Sequence, residues 1–344
     1  MLFSIRDEQS PNGATHEIGL RLANTVFVNG KETTLLGMRW TRPQTEAAGS
    51  SDQYILDQSV DLVGCVFETS SSRIHPNLDL PLDSVSQRRR VVTSMGNILR
   101  QVTKSTDGTS MDPMPASSEL EKELPRYIDE HNIVDQRVSV WALVEKSNVE
   151  ISDQKLSAQD RVAESLRRGG KLHRVMSGGG GWGKKQGLLS LDPEVSFPGT
   201  ARRCELVGVK ELFEPTQATP LDLPLSLDEI MGGDDLSHLS QVASEGDFIQ
   251  FFVSVEPATS QGDAVNDQKL SDVTYSFGVV SDAEEMDSPN SDQEQSLILI
   301  ENAFGALSEK AITYSQPVER GGSVIDSSTK LDIPGSRVML RPVE

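Results

Sequence analysis

The chain has 344 residues and a formal net charge of −20, with 36% hydrophobic and 5% aromatic residues. This length predicts one large domain or two modest ones, and the low apolar content predicts a core interrupted by long solvated loops. So acidic a chain is not as a whole a nucleic-acid-binding protein, because phosphate binding needs clustered Lys and Arg, and no apolar run is long enough to cross a membrane.

The two cysteines, Cys65 and Cys204, are too few for a disulfide framework and are expected to be small buried side chains. The first residues lack the apolar stretch of a signal peptide. We therefore expect an intracellular protein, with the cytoplasm favoured and mitochondrial and nuclear locations left open.

The N-terminal third is expected to contain strands and one helix. Asn29-Gly30 lies between two β-prone runs and predicts a hairpin over residues 25–36. A strand is predicted over residues 60–68, and a helix is predicted from about Ser84 on the spacing of Val91, Val92, Met95, Ile98 and Leu99.

The middle of the chain alternates helices and strands. A helix is predicted over residues 119–133, with Pro125 either starting or kinking it. Residues 136–146 carry apolar groups on both faces, which favours an internal strand. A short helix follows Ser157 and ends near Gly169, because these residue types are typical of an N-cap and of the left-handed C′ position.

The C-terminal part is predicted to be β-rich and acidic. Strands are expected over residues 247–256 and 273–280, and a loop over residues 281–295 holds six acidic and no basic residues. That loop lacks the spaced pattern of a calcium-binding loop, so no metal site is predicted there.

The expected fold is therefore α+β, with mainly antiparallel strands, a few short helices and long acidic loops. Three parts are predicted: residues 1–105, β-rich with one helix; residues 119–212, α+β; and residues 228–344, acidic and β-rich. The alternative is that these three parts form one composite domain.

The candidate site is a glycine-rich basic segment, residues 166–191, in the middle part. Residues 161–191 hold seven basic residues and one acidic residue, so this stretch has a net positive charge, whereas the rest of the chain is strongly negative. The candidate binding residues are Lys171, Arg174, Gly178, Gly179, Gly180, Gly181, Trp182, Gly183, Lys184 and Lys185.

Three functions compete for this segment. The favoured hypothesis is a non-enzymatic interaction or adaptor protein, because a Trp flanked by glycines can anchor in a pocket of a partner protein. The second is binding of RNA or a phosphate ligand, with Trp182 stacking on a base and backbone amides contacting phosphate.

The third is a nucleotide-dependent enzyme, because residues 178–185 fit G-x-x-x-x-G-K but place Lys185 where a P-loop needs Ser or Thr. The histidines show no metal-ligand spacing, and no nucleophile motif is present. We therefore predict no catalytic residues, no metal and no cofactor, and a protein partner rather than a membrane.

Overall fold

The fold is taken from a computed structural model. It describes residues 1–10, 13–22, 26–30, 35–41, 55–62, 64–71, 73–106, 111–133, 138–147, 156–178, 187–196, 206–214, 241–254, 273–281, 302–320 and 322–342. Of these residues, 55% lie in strands and 12% in helices, and only two of their helices exceed four residues. The α+β prediction is therefore wrong, because the described part of the chain is mostly β.

Twenty strands and three helices make up the described part of the chain. The strands are β1 (Leu2–Asp7), β2 (Thr15–Leu20), β3 (Leu35–Thr41), β4 (Ile55–Leu62), β5 (Cys65–Ser71), β6 (Ile74–Asp79), β7 (Leu82–Ser84), β8 (Arg89–Met95), β9 (Ile98–Thr103), β10 (Pro113–Pro115), β11 (Val140–Glu145), β12 (Lys171–Gly178), β13 (Leu189–Leu191), β14 (Val207–Gly208), β15 (Phe248–Ser254), β16 (Thr274–Val279), β17 (Ala303–Ser308), β18 (Ile312–Arg320), β19 (Ser323–Leu331) and β20 (Arg337–Pro342). The helices are α1 (Val26–Asn29), α2 (Ser118–Glu130) and α3 (Ala158–Arg167).

Six antiparallel strands close into a barrel in the order β8-β9-β13-β12-β11-β15, because β15 pairs back onto β8. Its interior is apolar and receives side chains from every strand of the ring, among them Val91, Leu99, Leu191, Val175, Ala142 and Phe251. Closure leaves no unpaired sheet edge around the ring and so protects its backbone hydrogen bonds.

β11 is buried on both faces, which confirms the predicted internal strand. Val140, Ala142 and Val144 contribute to the barrel core. Trp141 and Leu143 point the opposite way, into a second core. The strand is therefore shared between two packed layers.

The second core lies between the outer wall of the barrel and two further sheets. These have the orders β14-β5-β1-β2-β18-β19 and β17-β16-β20-β6. The core is built from large side chains such as Phe3, Ile18, Trp141, Phe277, Tyr314 and Leu340. Together, these sheets combine strands from all three predicted parts of the chain. The boundaries between the three parts stay a prediction.

α3 forms as predicted. Ser157 Oγ accepts a hydrogen bond of 3.1 Å from the backbone N–H of Asp160, and Gly169 adopts a φ of +84° just after the helix. α2 also forms and keeps Pro125 inside it. Leu120 and Tyr127 of α2 are buried in the barrel core, and Val162 and Leu166 of α3 are buried in the second core.

Three local predictions are wrong. The strand predicted over residues 60–68 is instead the end of β4 and the start of β5, which belong to different sheets. The helix predicted from Ser84 is the antiparallel pair β8 and β9, joined at Gly96, whose φ of +58° suits a turn and not a helix interior. The hairpin predicted over residues 25–36 contains instead the single turn α1, closed by Gly30, whose N–H donates to Val26 O at 3.0 Å. Residues 31–34 lie outside the described part.

Candidate binding site at the base of the glycine-rich segment

The predicted site lies on β12 and on the connection from β12 to β13. Lys171, Arg174 and Gly178 belong to β12. The other predicted residues lie outside the described residues; they are Gly179, Gly180, Gly181, Trp182, Gly183, Lys184 and Lys185. Gly178 of β12 pairs with Leu189 of β13. The connection therefore begins and ends on two neighbouring strands of the barrel wall.

Both ends of this connection pack too tightly for a side chain. A Cβ on Gly178 would stand 2.3 Å from Leu189 Cδ2 and 2.7 Å from a backbone oxygen. Gly187 has a φ of +81°, and a Cβ there would meet Pro115 at 2.5 Å. The N–H of Ser117 donates to Gly187 O at 3.2 Å, so the re-entry point is fixed to the start of α2.

Arg174 is exposed on β12 and lies above Trp141. Its guanidinium carbon is 5.7 Å from the centre of the Trp141 ring, and its Nη2 donates to Ser139 Oγ at 2.8 Å. The ring itself is buried, and its Nε1 donates to Asp332 Oδ1 at 2.6 Å. Arg174 is thus held by the surface of its own barrel.

Behind Trp141 lies a partly buried ion cluster that joins the barrel to β19 and is centred on Lys330, whose side chain is 10% exposed. Lys330 Nζ donates to Asp192 Oδ2 and, at 3.2 Å, to Glu194 Oε2, and lies 3.8 Å from Asp332 Oδ2. Arg21 Nη2 contacts Glu194 Oε1 at 2.5 Å. The cluster is the charged contact that holds β13 against the neighbouring sheet.

The electrostatics of this cluster suit a structural role. Burial alone would lower the pKa of Lys330, but hydrogen bonds and charge from Asp192, with Asp332 and Glu194, outweigh it and raise the pKa above its usual value. Burial alone would raise the pKa of Asp192, but the bond from Lys330 outweighs it and the pKa is lowered. Lys330 is therefore firmly protonated and unsuited to act as a nucleophile or base.

His173 occupies the other face of β12 and points into the barrel. Its Nδ1 donates to the backbone oxygen of Asp192 at 2.8 Å, and its Nε2 is buried without a hydrogen-bond partner. Burial lowers the pKa of His173 to about 4. The imidazole is therefore neutral and helps to fix the position of Asp192.

We expect stability to fall between pH 7.5 and pH 5. Burial also lowers the pKa of His16, to about 4, so below the ordinary value of 6.5 the unfolded chain binds protons that the folded chain does not. Each histidine should cost about 2 kcal/mol of unfolding free energy over this range. Urea unfolding at the two pH values measures the loss, and His173→Asn should remove about half of it; a flat profile would contradict the burial of both rings.

A separate polar depression of about 570 Å³ lies on the six-stranded sheet. One row of its lining crosses five strands in register, through Glu68, Ser4, Glu17, Ser315 and Ser328. Three of these five residues are serines, whose short side chains leave room for the depression above the sheet. This depression is on a different sheet from the glycine-rich segment.

Several residues that build the site carried no signal in the sequence. Trp141 was visible only as a strand residue, and Asp192, Lys330 and Asp332 were ordinary charges in an acidic chain. They meet because β12, β13 and β19 are neighbours in space. Among the described residues, no three His, Cys, Asp or Glu side chains are grouped closely enough to hold a metal ion.

The fold and site define a mostly β protein built on a closed six-stranded barrel. No protein-family model, curated protein or solved structure matches this chain. Within the described part, no helix is both long and apolar enough to cross a lipid bilayer.

Proposed function

We propose that this is a non-enzymatic interaction protein that contacts a partner protein through the glycine-rich segment. Trp182 is the anchor of the contact, and Arg174, Lys184 and Lys185 are its charged neighbours. The observation that supports this proposal is the anchoring of both ends of the segment, at Gly178 and Gly187, in the wall of the barrel. A segment with fixed ends loses less conformational entropy on binding than a free chain.

The surroundings of the segment favour a protein partner over RNA. The predicted site holds four cations, Lys171, Arg174, Lys184 and Lys185, which are few for neutralising a polyanion. The chain as a whole carries a net charge of −20, which would repel a polyanion, whereas one aromatic anchor with a few cations suits a protein pocket.

The nucleotide hypothesis gains no support from the strand order. A P-loop runs from a buried strand into a helix, whose N-terminal amides bind phosphate. Here the chain passes from β12 through the segment to Gly187 and into the strand β13. The phosphate-binding helix therefore has no counterpart in the described residues that directly follow the segment.

The test combines Trp182→Ala, Lys184→Ala and Lys185→Ala in one triple variant. Tagged wild-type and variant chains are compared by cross-linking and quantitative mass spectrometry of captured proteins. Specific partners of the wild type should be lost from the triple variant, because the anchor and its charges are gone. Lys122→Ala with Lys310→Ala is the control, since both lysines are exposed on other elements.

Two outcomes would overturn the proposal. Identical partners for the wild type and the triple variant would show that the contact lies elsewhere. Direct RNA binding that falls steeply with rising salt, and that the triple variant loses, would assign the same residues to phosphate contacts instead.

A further inference from the structure

The polar depression on the six-stranded sheet is a long groove. Its lining runs from Glu68 on β5 to Ser328 on β19, across five neighbouring strands. Since neighbouring strands lie about 4.8 Å apart, this row spans about 19 Å. A volume of about 570 Å³ spread over that length is narrow, and it is within the range of cavities that bind small molecules.

Ser4 lies in the middle of the groove and carries a hydroxyl that the fold does not use. It belongs to the outward face of β1, since its neighbours Phe3 and Ile5 point into the second core. Ser4 is nevertheless only 7% exposed, and it lies between Glu17 and Glu68 on the two adjacent strands. Its Oγ has no hydrogen-bond partner among the described residues. A polar group that is almost buried and unpaired costs stability unless water or a ligand bonds to it.

The lining of the groove offers both donors and acceptors of hydrogen bonds. All eleven of its residues are polar, and six of them carry hydroxyl groups. Arg6 and Lys210 supply cations, whereas Glu17, Glu68 and Asp326 supply carboxylates. Carboxylates only accept hydrogen bonds, Arg and Lys only donate them, and hydroxyls do both. A ligand rich in hydroxyl groups, each able to donate and to accept, meets this mixture best.

Other classes of ligand fit the groove less well. Nucleic acid is disfavoured, because three carboxylates outnumber two cations and none of the described lining residues is aromatic and able to stack on a base. An extended peptide pairs with a free strand edge or inserts apolar side chains into pockets. The groove instead crosses β5, β1, β2 and β18, which are paired on both sides, and its described lining contains no apolar residue.

We propose that this groove binds a short, uncharged, linear oligosaccharide that lies across the strands. Ser4 bonds to the middle of the sugar chain, and Glu17 and Glu68 accept hydrogen bonds from hydroxyls on either side of it. Ser315 and Ser328 form the end of the groove at β19, where a hydrogen bond of 2.7 Å between their Oγ atoms holds both side chains in place.

The binding is weak, because it depends on polar contacts alone. Each hydrogen bond to the sugar replaces one to water, so the net gain per bond is small. The described lining offers no apolar surface that would add to these bonds. We therefore expect a dissociation constant on the order of 1 mM, which a method that observes the ligand can measure.

Saturation-transfer difference NMR on the full chain tests this proposal. The probes are maltotetraose, cellotetraose, mannotetraose and tetra-N-acetylchitotetraose, each titrated around the expected constant of about 1 mM. We expect transfer to at least one of them. Ser4→Ala should raise the dissociation constant of that probe at least about threefold, because it removes the hydroxyl at the centre of the groove, and Ser4→Leu should abolish binding by filling the groove. Ser327→Ala, on the opposite face of β19, should leave binding unchanged.

Ser4→Ala also separates ligand binding from a structural role. Because Ser4 Oγ has no hydrogen-bond partner among the described residues, the urea midpoint of the free Ser4→Ala chain should equal or slightly exceed that of the wild type. Absence of transfer to every probe would overturn the proposal and leave a groove that holds only water. A probe that binds both Ser4 variants as well as the wild type would overturn it too. Circular dichroism confirms that each variant is folded, and none of these outcomes depends on Trp182.

Discussion

Replacing Glu145 with glutamine should lower the free energy of unfolding by about 3–5 kcal/mol, because it leaves two arginines at a buried site without their counter-charge. Glu145 lies at the end of β11 beneath α3, and its side chain is 2% exposed. Arg161 donates to both of its carboxylate oxygens at 2.7 and 2.8 Å, and Arg88 donates to Oε2 at 2.6 Å.

The pKa of Glu145 supports this expectation. Burial alone would raise the pKa, but hydrogen bonds and charge from Arg161, with Arg88, outweigh it and hold the pKa below its usual value. The contribution to stability is therefore present at neutral pH and is lost only as the pH falls through the lowered pKa. Urea unfolding at pH 7 measures it directly.

Glu164→Gln is the matched control on the neighbouring helix. Glu164 pairs with Arg168 at 2.7 Å, but both side chains are substantially exposed. Its loss should cost no more than about 0.5 kcal/mol. Equal losses for Glu145→Gln and Glu164→Gln would show that burial does not set the strength of the Glu145 cluster.

Lys330→Met should cost about 3 kcal/mol, because it removes the cation that neutralises Asp192 and Asp332 in the cluster behind Trp141. The Lys330 side chain is 10% exposed and the Asp192 side chain is 17% exposed. Little water can therefore solvate the carboxylate that loses its partner. Since the cluster joins β13 to β19, its loss should weaken the contact between the barrel and the six-stranded sheet. Chemical denaturation of the variant at neutral pH provides the measurement.

A second substitution separates charge from packing in this cluster. Adding Asp192→Asn to Lys330→Met removes one of the unpaired carboxylates, so it should recover part of the lost stability. Lys122→Met, at a side chain that is 80% exposed, should have almost no effect. A Lys330→Met chain as stable as the wild type would contradict the role of the cluster in joining the two sheets.

Elements whose ends are marked by capping and turn residues could be predicted from the sequence. α3 begins after a capping Ser157 and ends before Gly169, and both signals lie within the helix and its flanks. β11 was recognisable because apolar residues on both faces require burial on both sides. In these cases the local pattern and the tertiary packing favour the same structure.

Elements that depend on distant contacts could not be predicted. The apolar residues of β8 and β9 fit a helical spacing by coincidence, and the only local sign of the turn between them is the pair Gly96-Asn97. Barrel closure requires Arg89 and Arg90 of β8 to pair with Ile249 and Phe248 of β15, far away in the chain. No local rule specifies such a pairing.

The predicted binding residues stay a prediction, and the residues that hold the base of the segment could not be found from the sequence. The charge inversion and the glycines drew attention to β12 and its connection to β13. The contacts that hold its base join residues far apart in the sequence: Trp141 and Asp332 are separated by 191 positions, and Asp192 and Lys330 by 138. Their charges and aromatic rings become informative only once the strands are neighbours.

The thermal midpoint of the triple variant at Trp182, Lys184 and Lys185, measured beside its partner capture, tests the central claim most directly. The claim is that these residues serve a contact with another protein and not the stability of the barrel. We expect capture to be lost while the midpoint stays within about 1 °C of the wild type. A midpoint lowered by many degrees would place Trp182 in the core and contradict the proposed function.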